Sequence, residues 1–328
     1  MNPFAYLRPA SVDEALTSGA ASPTSKYLGG GTNLVDLMKM GVEHPDTLIN
    51  VSQLPLSTIE SKGDGVRIGA MARNSAVSTH PLIRDRYPLL AQALLAGASP
   101  QIRNMATVGG NLLQRTRCPY FYDSSYKECN KRVPGSGCAA QTGYNRSHAI
   151  VGGSDHCIAT HPSDMAVALA ALDATVQVTG SHGERSIPIA NFHRLPGNTP
   201  QIETTLRSGE LITSVDLPKP SAKSSIYIKV RDRNSYAFAL VSVAAAVEVD
   251  QGGRIRYARL ALGGIAPKPW RVPEAELALI GMPTTEEVFR KAADIAIRGA
   301  RTHRHNAFKV ELARRCILRA LTITTELA

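Results

Sequence analysis

The sequence is poor in aromatic residues and contains no long apolar run. Aromatic residues make up 5% of its 328 residues, and no basic stripe is interleaved with them. The scattered cations therefore argue against nucleic-acid binding, despite a formal net charge of +10. The longest apolar stretch, residues 237–247, is too short to span a bilayer. We expect a compact chain that engages neither nucleic acid nor membrane.

Recognisable catalytic groupings are also absent. No Ser-His-Asp, Cys-His or paired-carboxylate arrangement stands out along the chain. The first thirty residues contain no basic segment followed by an apolar one, so we expect no export signal. Without such a catalytic grouping, the sequence offers no recognisable centre for substrate chemistry.

Cysteine is scarce, but four of the five cysteines fall within forty consecutive residues: Cys118, Cys129, Cys138 and Cys157. In a long chain without a secretory signal, such crowding favours a metal or cluster site over disulfides. Separations of ten, eight and eighteen residues exclude the paired knuckles of most structural zinc sites and the usual ferredoxin run. Cys316 lies in an apolar helical stretch and is predicted to be a packed core thiol.

Charge around the cysteines favours an iron-sulfur cluster over zinc without excluding zinc. A thiolate-ligated [4Fe-4S] core is anionic. Five cations against two carboxylates surround the first two cysteines: Arg115, Arg117, Lys127, Lys131 and Arg132, with Asp123 and Glu128. Glycines in the region would let backbone amides approach sulfur. His156 and His161 flank the fourth cysteine and could replace a thiolate, although a hydrogen-bonding or surface role is commoner.

Hydrophobic periodicity divides the chain into three regions. A small α/β unit covers residues 1–58, and a second α/β region covers 59–219 with the cysteine loop at 114–160. A Pro-Lys-Pro linker then leads to an α+β domain at 223–328, with three strand-like runs and two helices. Residues 99–162 show little periodicity, so we expect a long loop that is functional or pinned by a bound group.

Two glycine-rich segments have the character of phosphate-binding turns. Gly29-Gly30-Gly31-Thr32-Asn33 stands between a short strand and a helix, where bare amides can meet an anion. A second segment, residues 106–112, again combines glycines with side-chain donors. Either segment alone is as readily a plain turn, but together they could clamp one diphosphate. Cys118 follows Asn111 by seven residues, and Cys157 precedes Asp164 by seven. Each tether is therefore at most about 25 Å, so a cluster would lie near whatever these motifs bind.

Polar residues outside these segments have ordinary alternatives. Ser163-Asp164 opens an apolar helix, where an N-cap is the usual role. Lys229, Arg231 and Arg233 lie on a strand of the third region, where they are either exposed cations or contacts to a phosphate or ring.

These motifs together resemble the FAD subunit of the xanthine dehydrogenase and aldehyde oxidase family. The resemblance rests on residues 26–34, on the Ala-Thr-Val-Gly-Gly-Asn segment and on His161-Pro162-Ser163-Asp164. The cysteine region, with Gln114-Arg115-Thr116-Arg117-Cys118-Pro119, is similar to the branch of bacterial periplasmic aldehyde oxidoreductases, whose FAD subunit carries an extra [4Fe-4S] cluster.

The resemblance implies an α+β fold with a two-subdomain, vanillyl-alcohol-oxidase-type FAD-binding domain, an iron-sulfur loop and an α+β C-terminal domain. It implies [4Fe-4S] ligation by the four clustered cysteines. It also implies FAD contacts from Lys26, Tyr27, Leu28, Gly29, Gly30, Gly31, Thr32, Asn33, Leu34, Ala106, Thr107, Gly109, Gly110, Asn111, Asp164 and Lys229.

The family further implies a role in a complex. A large molybdopterin subunit would oxidise the aldehyde, and a small subunit with two [2Fe-2S] clusters would deliver electrons through FAD to an external acceptor. The extra cluster is expected to be structural or tuning, since other branches pass electrons without it. Co-export with a signal-bearing partner would make the chain periplasmic, with a cytoplasmic location as the alternative. A hydroxybenzoyl-CoA-reductase-like FAD subunit and a zinc-stabilised basic binding protein are the competing hypotheses.

Overall fold

The computed structural model, which describes residues 1–327, begins with a parallel three-stranded sheet in the order β1-β3-β2. Ser11 caps the first helix by accepting a hydrogen bond from the Glu14 amide, and Gly41, at φ +68°, follows the second. The elements are β1 (Ala5–Leu7), α1 (Val12–Ala21), β2 (Lys26–Leu28), α2 (Leu34–Lys39) and β3 (Thr47–Asn50).

An antiparallel five-stranded sheet follows, in the order β4-β5-β8-β6-β7. Its elements are β4 (Ile59–Lys62), β5 (Gly65–Gly69), α3 (Asn74–Thr79), α4 (Pro81–Arg86), α5 (Pro88–Ala96), α6 (Pro100–Met105), α7 (Val108–Leu112), α8 (Pro119–Tyr122), α9 (Asp164–Ala171), β6 (Thr175–Gly180), β7 (Gly183–Pro188), α10 (Ile189–Phe192) and β8 (Leu211–Leu217). Along the chain, the cysteine region lies between β5 and β6. In the sheet these two strands are separated by β8, which pairs with β5.

The last sheet is antiparallel, in the order β12-β11-β10-β9. Its elements are β9 (Ser224–Val230), β10 (Val241–Val249), β11 (Ile255–Gly263), β12 (Trp270–Arg271), α11 (Pro273–Leu277), α12 (Glu286–Ala296) and α13 (Phe308–Glu326). Alternate residues of β10 enter two different cores. Ala244 and Ala246 join the core shared with α5 and α9, whereas Val243 and Ala245 face α12 and α13. A sheet covered on both faces loses the alternation of polar and apolar residues.

The region expected to be one long loop contains three short helices, α6, α7 and α8. Two of them begin with a proline in the first turn, which suits a helix start. None of the three is long enough for its apolar residues to repeat at helical spacing, so hydrophobic periodicity could not predict them. Across residues 1–327, no helix combines the length and apolar character needed to cross a membrane.

Candidate functional site

The two glycine-rich segments predicted from the sequence lie against each other. Gly30, between β2 and α2, is so close to the carbonyl oxygen of Met105 that a Cβ at this position would overlap that oxygen. A Cβ on Gly29 would lie 2.8 Å from Oγ1 of Thr107. Gly31 has φ +73°, in the left-handed region that favours glycine. The glycines therefore allow two backbone segments to touch.

The second segment folds as the short helix α7 rather than as the expected turn. Thr107 is its N-cap and accepts a hydrogen bond from the Gly110 amide at 3.2 Å. The Gly109 amide donates to the carbonyl oxygen of Ala70 at 2.8 Å, which fixes α7 to the end of β5.

Two cavities of about 470 Å³ each flank the paired segments, a size typical of small-molecule sites. Residues that line both cavities, Thr32, Asn33 and Gly110, mark where they meet. The first, the β2 cavity, is lined by residues 26–34 with Thr107, Gly109 and Gly110. The second, the Asp164 cavity, is lined by Ala106, Gly110, Asn111, Asp164 and Lys229. The structure thus gathers all sixteen predicted FAD contacts around one elongated site.

Each cavity contains a buried polar atom without a hydrogen-bond partner, which the sequence did not reveal. Oε1 of Gln201 lines the β2 cavity, and Oδ1 of Asn74 lines the Asp164 cavity. An unsatisfied buried acceptor costs about 1–3 kcal/mol. Each half of the site therefore has in its wall a polar side chain whose hydrogen-bonding capacity is not met within the protein, which fits a cofactor with polar groups.

Two predicted FAD contacts use their side chains to bind protein. Asn33 accepts a hydrogen bond from the Arg115 amide at 2.8 Å and donates to the Tyr122 hydroxyl at 3.0 Å. Asn111 accepts from the Ser163 hydroxyl at 2.6 Å. These bonds connect the glycine segments to the cysteine region and to α9, so both asparagines hold the shape of the site.

Asp164 and Lys229 form a buried ion pair at the edge of the Asp164 cavity. Lys229 Nζ lies 2.7 Å from Oδ2 of Asp164, and the Tyr227 hydroxyl donates to Oδ1 at 2.6 Å. Burial, together with the Asp164 carboxylate, raises the pKa of Tyr227 well above its usual range, so it remains a donor. Ser163 is the N-cap of α9, as expected. Lys229 is not an exposed strand cation but a partner that neutralises Asp164.

The four clustered cysteines pack together in a small core with Tyr120 and Phe121, and none forms a disulfide. Cys129 and Cys138 face each other across an isolated antiparallel bridge. Asn130 ties the segments together: Oδ1 accepts from the Gly137 amide at 2.9 Å, and Nδ2 donates to the His156 carbonyl at 3.0 Å. Within residues 1–327, no three His, Cys, Asp or Glu side chains are arranged to hold a single metal ion.

Burial disfavours the charged form of three of these thiols. With a smaller contribution from neighbouring cysteines, it raises the pKa of Cys118 to about 12 and that of Cys157 to about 11. Burial likewise raises the pKa of Cys138. Backbone amides oppose this rise, for example that of Ala159, which donates to the Cys157 sulfur at 3.5 Å. Such thiols become thiolates only beside a bound cation, the usual behaviour of metal ligands.

The histidine nearest a clustered cysteine is one that sequence reasoning missed. Nε2 of His148 lies 3.1 Å from Sγ of Cys118, and the side chain is buried. Of the two histidines singled out from the sequence, His156 is exposed, and the His161 ring contacts that of His193 in a tilted arrangement, with their centroids 4.2 Å apart. No local sequence signal distinguishes His148, because its contact spans thirty residues.

A third cavity, of about 140 Å³, lies between the cysteine core and the Asp164 cavity. Cys118 and His148 line it, together with residues that also line the Asp164 cavity: Arg117, Pro162, Asp164 and Phe238. The third cavity therefore has Cys118 of the cysteine core on one side and residues of the Asp164 cavity on the other.

Two of the cations expected to compensate a cluster serve mainly in an ion network. Arg115 bonds Glu43 and Glu203 at 2.5 Å each, and Lys131 bonds Glu203 at 2.8 Å. Although burial opposes its ionisation, Lys131 and Arg115 lower the pKa of Glu203. Glu43 and Glu203 line the β2 cavity, so this network joins that cavity to the cysteine region.

Comparison with known proteins shows the family to which the chain belongs. Residues 2–220 match the FAD binding domain in molybdopterin dehydrogenase, and residues 226–324 match the CO dehydrogenase flavoprotein C-terminal domain. The chain is an FAD-binding subunit of the molybdopterin dehydrogenase family. The mixed α+β fold expected from the resemblance is confirmed.

Members of this family are similar along the whole chain. The aldehyde oxidoreductase FAD-binding subunit PaoB of Escherichia coli is 50% identical over 323 residues, covering 98% of both chains. The glyceraldehyde dehydrogenase medium chain of Sulfolobus acidocaldarius is 27% identical, covering 88% of this chain and 85% of its own. The solved carbon monoxide dehydrogenase of Hydrogenophaga pseudoflava matches with a TM-score of 0.77 and 26% identity, covering 98% of this chain and 97% of that one.

Proposed function

We propose that the chain is the FAD and [4Fe-4S] electron-transfer subunit of a molybdenum-dependent aldehyde oxidoreductase. The observation that carries the proposal is the contact between the two glycine segments, with every predicted FAD residue on the two cavities beside them. The 50% identity to an aldehyde oxidoreductase FAD-binding subunit supports the substrate class.

FAD would occupy the joined cavities. Residues 26–34, Thr107 and Gly109 would hold it in the β2 cavity, and Ala106, Asn111, Asp164 and Lys229 in the Asp164 cavity. When bound, FAD supplies a carrier that takes up electrons and releases them singly or in pairs. This chain orients the cofactor, excludes water from it, and places a neutralised ion pair beside it.

Cys118, Cys129, Cys138 and Cys157 would bind the [4Fe-4S] cluster. The burial of three of them, the packing of all four in one core and the Ala159 amide directed at the Cys157 sulfur support thiolate ligation. A zinc-stabilised binding protein would contain no flavin, which membership in an FAD-binding family argues against.

The partners would be a large molybdopterin subunit and a small subunit with two [2Fe-2S] clusters. Relatives named as medium chains support a place in a multi-subunit complex. Electrons would enter at FAD and leave to an external acceptor. The complex would reach the periplasm on a partner's export signal, which cell fractionation tests: a cytoplasmic complex would contradict this location.

Anaerobic purification with the co-expressed partners tests the proposal. We expect bound FAD, about four iron and four sulfide per chain, and a visible band that dithionite bleaches. The complex should oxidise aldehydes. A complex that instead reduces hydroxybenzoyl-CoA, or a chain that binds zinc and no flavin, would contradict it.

The ligand set has its own test. Replacing Cys129→Ser should remove or cripple the cluster, because a buried ligand thiolate is lost. Cys316→Ser is the matched control: that thiol is equally buried, but lies in the core under α13. Iron and sulfide should fall only in the first variant, and equal loss from both would show that the ligand set is wrong.

A further inference from the structure

We infer that His148 donates a hydrogen bond from Nε2 to the sulfur of Cys118 and thereby raises the reduction potential of the cluster. The inference rests on the proposed [4Fe-4S] ligation. In this inference His148, which is not a cluster ligand, tunes the reduction potential of the cluster.

The direction of the hydrogen bond follows from the chemistry of both partners. The two atoms lie 3.1 Å apart, and His148 is 2% exposed. A metal-bound cysteine sulfur has no proton to donate, so the ring nitrogen must carry it. Nδ1 of His148 is buried without a partner and is then the unprotonated nitrogen. A neutral imidazole in this tautomer gives the Cys118 sulfur a hydrogen bond and places no charge in the core.

Contacts to the backbone of His148 hold its ring in place. Its amide donates to the Asn145 carbonyl at 3.0 Å. Its carbonyl oxygen accepts from Nζ of Lys309 at 3.0 Å and lies 3.4 Å from Nδ2 of Asn306. Both donors are fully buried beside or on α13, so the C-terminal domain fixes the position of the imidazole.

The hydrogen bond changes the potential because reduction alters the charge on sulfur. One added electron makes the ligand sulfurs more negative, and a donor stabilises the more negative state more strongly. The low dielectric of the buried core increases this difference. Among the four cysteines, Cys118 alone lines the third cavity, so the tuned ligand lies on the side of the cysteine core next to that cavity.

Three variants of the assembled complex separate tuning from structure. His148→Phe keeps a flat ring but removes the donor, and His148→Gln keeps an N–H donor. His156→Phe is the control, since His156 also sits beside a cluster cysteine but is exposed and makes no side-chain hydrogen bond within residues 1–327. Iron and sulfide analysis reports assembly, and an EPR-monitored redox titration reports the midpoint potential.

We expect His148→Phe to keep its iron and to show a lower midpoint potential than the unaltered complex. His148→Gln should shift less, and His156→Phe should not shift. An unchanged potential in His148→Phe would overturn the inference, as would an equal shift in His156→Phe or loss of iron from both His148 variants. An unaltered complex without iron would instead overturn the proposed cluster.

Discussion

Gly30 occupies a position where one methyl group would collide with the backbone of another segment. Met105 cannot retreat easily, because α6 continues directly into Thr107, the cap of α7. A methyl group added at Gly30 would push the two glycine segments apart. The contact between these segments therefore depends on the absence of a Cβ atom at Gly30.

Gly30→Ala should therefore lower the FAD content of the purified protein, since the two segments must move apart. Flavin absorbance per chain measures it. Gly252→Ala is the control, because a Cβ there would meet only the flexible tip of Asp250, at 3.3 Å. Full FAD occupancy in Gly30→Ala would contradict a role for this contact in binding the cofactor.

At the scale of elements, α13 carries an unusual buried cation. Burial and Arg146 lower the pKa of Lys309 from 10.5 to about 7, with Asp232 acting in the opposite direction. Below pH 7 both the folded and the unfolded chain hold the proton, and the burial penalty is fully present. Between pH 7 and 10.5 only the unfolded chain holds it, so this lysine makes the free energy of unfolding rise with pH.

Lys309→Met should remove that rise. Relative to the unaltered protein, the free energy of unfolding of the variant should fall by up to about 1.4 kcal/mol per pH unit within this window. Thermal unfolding between about pH 6 and about pH 9 measures the difference. Lys291 is exposed, so the free energy of unfolding of Lys291→Met should vary with pH as that of the unaltered protein does. If the free energy of unfolding of Lys309→Met varied with pH as that of the unaltered protein does, Lys309 would not be titrating in this range.

The longer helices were predictable, whereas most short helices were not. The helix following Ser163 and the two C-terminal helices were expected from capping and periodicity, as was the short strand Lys26–Leu28 before the glycines. The helices α3, α4, α6 and α7 have at most six residues, too few to show a period. The FAD contacts came from a resemblance and stay predictions at residue level. The contacts of His148 and Lys229 depend on chain segments far apart, which a sequence pattern cannot join.

At the scale of the whole molecule, one ion network spans the β2 cavity and the cysteine region. Glu203 is its centre, bonded to Arg115 and Lys131. Arg115 also packs over the Phe121 ring, 4.5 Å from its centroid, within the cysteine core. The two proposed cofactor sites therefore share a support and should not be independent.

Glu203→Gln should lower FAD and iron together, because Lys131 and Arg115 lose the charge that holds them. Both are assayed on the same purified sample. Asp216→Asn is matched to it, since Asp216 also bonds one arginine and one lysine, but on the second sheet. Loss of only one cofactor from Glu203→Gln would show that the sites are supported separately.

The anchoring of His148 by Lys309 has a consequence for biosynthesis. Lys309 lies on α13, far along the chain from Cys157, the last of the clustered cysteines. The cysteine segment is therefore synthesised before the C-terminal domain that anchors His148. Loading of the proposed cluster before that domain has folded would meet an incompletely formed site, so folding of the C-terminal domain first is the order that the architecture favours.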